Sequence, residues 1–365
     1  MHMTGKTKKL STLTLRTALG GLALGMALAV SAQAAEVTWR MPASVPEGSF
    51  FYQNFMQRFA DNVGSITGGE VEIQPFGAGV LVPAFKVYEA VQDGVVEAGH
   101  STPSYLVNQD PTNAVFASFP GGMSGEATLT WLYDGGGAAK LSAFREKEMG
   151  LHSLVVGVGT SEVLAHSNKK ITELKDFENL KYRTSGAWAA VLKENLKGVP
   201  TVVPPGEIYT LLQRKGVDAI EWATPGSNIS EGFHEVAPYM IFPGVHQPTF
   251  VWEVVVKQET WEALSAELQK KIELAAKLTT YESYTYFLNA DMQAMEDYAK
   301  TKVEMIELKP DVVAELRELG RDWAKKKAEE KAQAGDETMQ NILRDYLAFQ
   351  TRWTAGSKYL IRDGN

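Results

Sequence analysis

The residues in this chain that could carry chemistry are more suited to holding a ligand than to transforming one. GxxxxGK[ST], HExxH and GxSxG are all missing, and GVGTSE (157–162) lacks the last glycine of a dinucleotide-binding turn. The histidines His2, His100, His152, His166, His234 and His246 never fall at HxH or HxxxH spacing, which argues against a histidine zinc site. Cysteine is absent, so thiolate metal sites, disulfides and cysteine nucleophiles are excluded together. What remains is a set of polar and aromatic residues at predicted strand ends. Arg183, in LKYRTSGAW, follows a strand and precedes Gly186. A guanidinium there either grips a carboxylate through two parallel hydrogen bonds or pairs with a structural Asp or Glu. Glu221 closes the apolar strand of AIEWATPGSN, as a ligand or metal contact or as a carboxylate that simply reaches water.

The elements that must position these residues follow from periodicity. EVTWRMP (36–42) alternates Val37, Trp39 and Met41 on one face and predicts a half-buried strand ending at Pro42. In FFYQNFMQRFADNVGSI (50–66), Phe51, Phe55, Phe59 and Val63 recur every fourth residue as a helix stripe, and EVEIQPF (70–76) predicts a second strand. The order β, α, β is that of a right-handed crossover in a largely parallel sheet. A weak internal echo extends this unit. Residues 71–102 and 200–224 both run strand, Pro/Gly loop, short helix, Gly, strand, with Gly94-Val95-Val96-Glu97-Ala98 matching Gly216-Val217-Asp218-Ala219-Ile220. The echo reads either as two similarly built α/β lobes or as the generic likeness of parallel-sheet segments. Open α/β sheets bind ligands beyond their strand ends, so HSTPSYL (100–106) and AIEWATPGSN (219–228) would face one cleft.

LHSLVVGVG (151–159) and PTFVWEVVVKQ (248–258) read as buried strands. From Thr260 the spacing of Trp261, Leu264, Leu268, Ile272 and Ala275 predicts helix, as does the composition of 314–350. Lys325-Lys326-Lys327 and Glu329-Glu330 read as a solvated helix face. At the other end, Lys6, Lys8, Lys9 and Arg16 precede an apolar run from Leu19 to Val30 and then Ala32-Gln33-Ala34, the pattern of a cleavable export signal over 1–34. The expected location is therefore the periplasm, with a soluble mature chain whose length suits two domains. The formal charge of -8 argues against nucleic acid or an anionic membrane surface as partner.

Taken in combination, several segments resemble the solute-binding subunits of tripartite ATP-independent periplasmic (TRAP) transporters, in particular the 2-oxo acid and lactate branch. They are QPFGAG (74–79), AVQDGVVEAGHSTPSYL (90–106), ASFPGG (117–122) followed by TWLYDGGG (130–137), LKYRTSG (180–186), residues 198–248 and a long helix spanning Trp261 to Leu278. The resemblance implies a two-lobed, type II-like periplasmic binding protein: α/β lobes joined by crossing strands and a long helix, with a helical C-terminal extension. Expected boundaries are 35–160 plus about 250–290 for lobe I, 161–249 for lobe II and 291–365 for the C-terminal helices, which in some relatives pair two subunits into a homodimer.

It also implies hinge closure around a small organic acid, delivery to membrane permease subunits, and no catalytic cofactor. The family arginine that meets the substrate carboxylate falls on Arg183. Its Glu-Trp pair, which holds a calcium or sodium ion bridging to the substrate, falls on Glu221 and Trp222. Tyr105 matches a cleft tyrosine, and Phe51, Tyr52, Trp188 and His246 are candidate walls. The chain departs from the branch at GVGTSEVLAHS (157–167): Glu162 takes the position of a metal-binding Gln, and Ala165-His166 replaces Gly-Trp. Gln247, in PGVHQP, completes the implied metal set of Glu221, Trp222, Glu162 and Gln247. Two carboxylates favour a hard dication over sodium, although Glu162 could equally receive an amine or hydroxyl of another ligand. Competing readings are a periplasmic enzyme using Glu162 and Glu221 as acid and base, and a ligand-binding sensor subunit.

Overall fold

The alternation at 37–41 and the four-residue stripe that follows build the first crossover, in a computed structural model that describes residues 35–360. The export signal expected at 1–34 lies outside the described residues. The strands in chain order are β1 (Val37–Pro42), β2 (Val71–Phe76), β3 (Ala98–Ser101), β4 (Leu151–Val158), β5 (Ala165–Ser167), β6 (Lys181–Arg183), β7 (Val199–Thr201), β8 (Ala219–Ile220), β9 (Tyr239–Phe242), β10 (Val251–Lys257) and β11 (Glu304–Glu307).

The echo in the sequence is an echo in space. β1 pairs in parallel with β2 and touches β3 through the parallel bridge of Ala43 and His100, giving the order β2-β1-β3. β6 pairs in parallel with both β7 and β8, giving β7-β6-β8. Each lobe thus contains the same βαβαβ unit. In the first, β10 and β4 extend the sheet as antiparallel strands; in the second, β5, β9 and β11 complete a six-stranded sheet.

The stripe residues Phe51, Phe55, Phe59 and Val63 are all buried. Tyr52–Gln57 forms a wide π-helical turn that passes into an α-helix at Arg58–Thr67. The Phe55 ring stacks on Phe287 with centroids 5.1 Å apart, tying this helix to the long helix Ala266–Tyr298. That helix is 33 residues long, about 50 Å at 1.5 Å per residue. It begins later than the apolar spacing suggested. Trp261 sits on a separate short helix, Gln258–Glu262, because Ser265 is extended and its hydroxyl accepts the Leu268 N–H as an N-cap. The C-terminal helices Pro310–Gln333 and Thr338–Gly356 bury Leu316, Trp323, Met339, Leu343 and Tyr346 in the core of their own chain. Of the lysine run, Lys327 meets Glu194 at 3.3 Å, while Lys325 and Lys326 stay at the surface. No described helix is long and apolar enough to cross a membrane.

Candidate functional site

Five pieces of backbone converge on one cavity. The ends of β3 and β8 contribute Thr102, Ser104 and Tyr105 from one lobe and Glu221 and Trp222 from the other, and the end of β6 brings Arg183 and Ser185. The two segments that cross between lobes supply the rest: Glu162 from the β4–β5 crossing, Gln247 and Phe250 from the β9–β10 crossing. Phe51 and Trp252 close the wall.

Arg183 ends β6 with a side chain only 1% exposed. Its Nη1 donates to the Glu221 carbonyl oxygen at 2.8 Å and lies 3.5 Å from Glu221 Oε1. Its Nη2 donates to the Val203 carbonyl at 3.1 Å, and Nε–H has no partner among the described residues. The guanidinium sits 5.6 Å from the centroid of the Trp222 ring, so it is oriented before any ligand arrives. A buried guanidinium with an idle N–H is costly unless something else is to fill it.

Glu221 is fixed from both sides. Its main-chain N–H donates to the Arg183 carbonyl, and its Oε1 accepts the Ser185 N–H at 3.0 Å. Glu162 is anchored by its main-chain N–H donating to the Gln247 carbonyl, while its Oε2 lies 3.2 Å from His246 Nε2. Burial, reinforced by the negative charge of Glu221, pushes the Glu162 carboxyl well above the usual carboxylate range, and Arg183 only partly offsets this. Burial lowers the His246 imidazole to about 4, so the ring is neutral near pH 7. Burial also raises the Tyr105 phenol.

The donor set therefore places two carboxyl groups beside one guanidinium, and the one on Glu162 resists ionisation in this surrounding. One oxygen each from Glu162 and Glu221 and one ring nitrogen of His246 lie within 4.8 Å of one another. Such a set fits a cation: the oxygens suit a hard dication, and a histidine that orients a ligating carboxylate is a common supporting arrangement. Backbone geometry keeps these groups close. A Cβ at Gly244 would come within 1.9 Å of the Glu162 carbonyl oxygen, and Gly186, at φ +63°, faces Ser104 of the other lobe. The cavity measures about 20 Å³, room for roughly one water.

Of the residues singled out in the sequence, Arg183, Glu221, Trp222, Glu162, Gln247, Tyr105 and Phe51 line the cavity together. Three candidate walls do not. His246 stands behind Glu162, Trp188 packs in the core against Phe177 and Tyr182, and Tyr52 donates its hydroxyl to the Pro75 carbonyl. Bulk and neighbourhood suggested these three, but their neighbours in space claim them. Thr102 and Ser104 belong to the HSTPSYL segment that the sequence placed at the cleft edge, whereas Ser185, Phe250 and Trp252 escaped sequence reasoning. The i, i+2 spacing of Phe250 and Trp252 into β10 and the place of Ser185 before a helix were the only signals.

Bacterial extracellular solute-binding protein, family 7, is the class that this fold and cleft define, and the chain belongs to it over residues 42–331. Among relatives, it is 32% identical over 260 residues to the monocarboxylate 2-oxoacid-binding periplasmic protein of Nostoc sp. (strain PCC 7120), covering 70% of each chain. Solved TRAP solute-binding proteins share the fold. One from Bordetella bronchiseptica, holding calcium and picolinate, superposes with TM-score 0.82 at 23% identity over 89% of this chain and 95% of that one. One from Pseudoalteromonas atlantica, with sodium and pyruvate, gives TM-score 0.82 at 24% identity over 90% and 97%. The chain is thus a TRAP-type solute-binding protein with the two-lobed α/β fold.

Proposed function

We propose that this protein captures a small monocarboxylate, of the 2-oxo or 2-hydroxy acid kind, outside the cytoplasm and hands it to the permease subunits of a TRAP transporter. The observation that carries the reading is Arg183, a buried, pre-oriented guanidinium whose Nε–H has no partner among the described residues and can meet a carboxylate. Glu221 and Glu162 would hold a cation, calcium in preference to sodium, with Gln247 and the Trp222 carbonyl completing its oxygen shell and His246 steadying Glu162. Bound there, the cation supplies charge neutralisation for the two carboxylates and a contact for the ligand's 2-oxo or 2-hydroxy oxygen. Tyr105 and Phe51 present ring faces that suit a short apolar tail. The calcium- and sodium-bound relatives support this assignment without fixing the ion.

Isothermal titration of the mature protein with pyruvate, lactate and longer 2-oxo acids, with and without calcium, tests the proposal. Binding of at least one acid, strengthened by calcium and lost in Arg183→Ala, is expected. Binding that survives Arg183→Ala unchanged would remove the arginine from the site.

A further inference from the structure

Asp291, near the C-terminal end of the helix Ala266–Tyr298, does not line the cleft, yet it bonds to both segments that deliver the cleft's carboxyl groups. Its Oδ1 accepts the Gly226 N–H at 2.8 Å, and its Oδ2 accepts the Thr160 hydroxyl. Thr160 stands two residues before Glu162 on the β4–β5 crossing, and Gly226 five residues after Glu221. Gly226 lies at the start of the short helix Pro225–Ser230, whose N-cap, Thr224, makes no capping bond with its side chain. Asp291 therefore caps that helix from another one. The fit is close, since a Cβ on Gly226 would come within 3.1 Å of Ala290 and of Asp291.

The strand pairing ends just where this clamp acts. β5 and β8 pair antiparallel through His166 and Ile220, and one more bond, from the Val163 N–H to the Ala223 carbonyl, carries the ladder past both strands. Glu162 comes next, and its N–H turns away to Gln247. Beyond it, Asp291 ties the two chains together again at Thr160 and Gly226. Glu162 is thus held between the last ladder bond and the clamp, with Glu221 inside the ladder on the facing chain. Among the described residues the partners of Asp291 are neutral donors, so its bonds serve no ion pair. What they constrain is the spacing of two carboxyl groups, and firmly spaced oxygens are what let a site tell calcium from the smaller magnesium ion.

We propose that Asp291 is a positioning residue of the cleft: by tying Thr160 to Gly226 it holds Glu162 and Glu221 at the separation that favours calcium over magnesium. This rests on the reading above that the two glutamates hold a cation.

Calorimetric titration of the mature protein with calcium alone and with magnesium alone tests it, beside a thermal scan of each variant. Asp291→Ala should weaken calcium binding about 10- to 100-fold and narrow the preference for calcium over magnesium. Asp291→Asn should keep calcium binding within about threefold, because its amide oxygen still accepts from Gly226 and its NH2 donates to the Thr160 oxygen. Thr160→Val, which cuts one arm and keeps the shape, should weaken calcium binding by itself and add little to Asp291→Ala. An Asp291→Ala protein that melts lower but binds both ions as wild type does would make the bonds merely structural and overturn the proposal. Equal losses in Asp291→Asn and Asp291→Ala would overturn it as well, by assigning the effect to charge. Wild-type protein that takes up no calcium refutes the cation reading itself and the clamp with it, whereas wild-type uptake that Asp291→Ala leaves intact refutes the clamp alone.

Discussion

Two arginines are buried in this protein to the same degree, and they are treated in opposite ways. Arg145, on the helix Gly137–Met149, meets Glu253 of β10 at 2.7 Å with both side chains at most 1% exposed. Its Nη1 donates to Asn113, while Glu253 also accepts from the Tyr88 hydroxyl at 2.6 Å and from Ser153. One cation faces one carboxylate, and every polar atom is engaged. Arg183 faces two carboxylates, keeps an idle Nε–H, and abuts a Glu162 whose ionised form is disfavoured. A buried ion pair that is complete serves the fold, whereas one left incomplete is poised for something that arrives later.

The sharpest way to break this comparison is to remove each arginine. Arg145→Met should destabilise the protein by about 3–5 kcal/mol, because it strands the Glu253 charge in the core. Arg183→Met should cost less, because the charge it strands on Glu221 is partly offset by losing a buried guanidinium whose Nε–H has no partner. Urea unfolding of both variants decides this, and equal losses would erase the distinction. Arg183→Lys, which keeps the charge but loses the fork, should weaken acid binding by about two orders of magnitude while barely moving the melting temperature. Calorimetry beside a thermal scan measures both.

Glu162→Gln comes next. It should lower calcium affinity about 10- to 100-fold, yet leave the ligand-free protein as stable as wild type or more so, because the folded chain no longer bears the cost of holding that buried carboxyl protonated at neutral pH. Titration with calcium, followed by unfolding in its absence, separates the two effects.

The pH dependence sharpens the contrast least but follows from the same burial. His100 and His166 are pushed down to about 3, and His152 and His246 to about 4. A base whose folded-state pKa is depressed binds more protons when unfolded, so stability falls as pH drops below about 6.5 and continues to fall to about 3–4. Glu162 opposes this. Its raised pKa means the folded state holds the extra proton, a stabilising contribution present below its unfolded pKa and lost as pH rises through the folded value. Acid unfolding curves should therefore be steeper for Glu162→Gln than for wild type, and a shallower curve would contradict the assignment of its carboxyl.

Much of the fold was legible because it rests on local patterns. The Val37–Trp39–Met41 alternation, the Phe51–Val63 stripe and the paired 71–102 and 200–224 segments all record burial on one face, which a period of two or four writes directly into sequence. The helix break at Ser265 was not legible, since a serine hydroxyl becomes a cap only where the backbone turns. The site was legible in part for a different reason. Arg183 and Glu221 stand at the ends of neighbouring parallel strands, but their residue types and positions left structural roles open and only the family resemblance pointed to ligand and metal. His246, Ser185 and Phe250 were misjudged or missed because their roles depend on which way two crossing segments bring them. By itself the sequence offered an internal echo open to two readings, a residue pattern of export type over 1–34, and a short set of charges placed beyond strand ends. Only the tertiary structure decided that those charges share one buried cavity, because closing two lobes over a cleft is a long-range act that no local periodicity encodes.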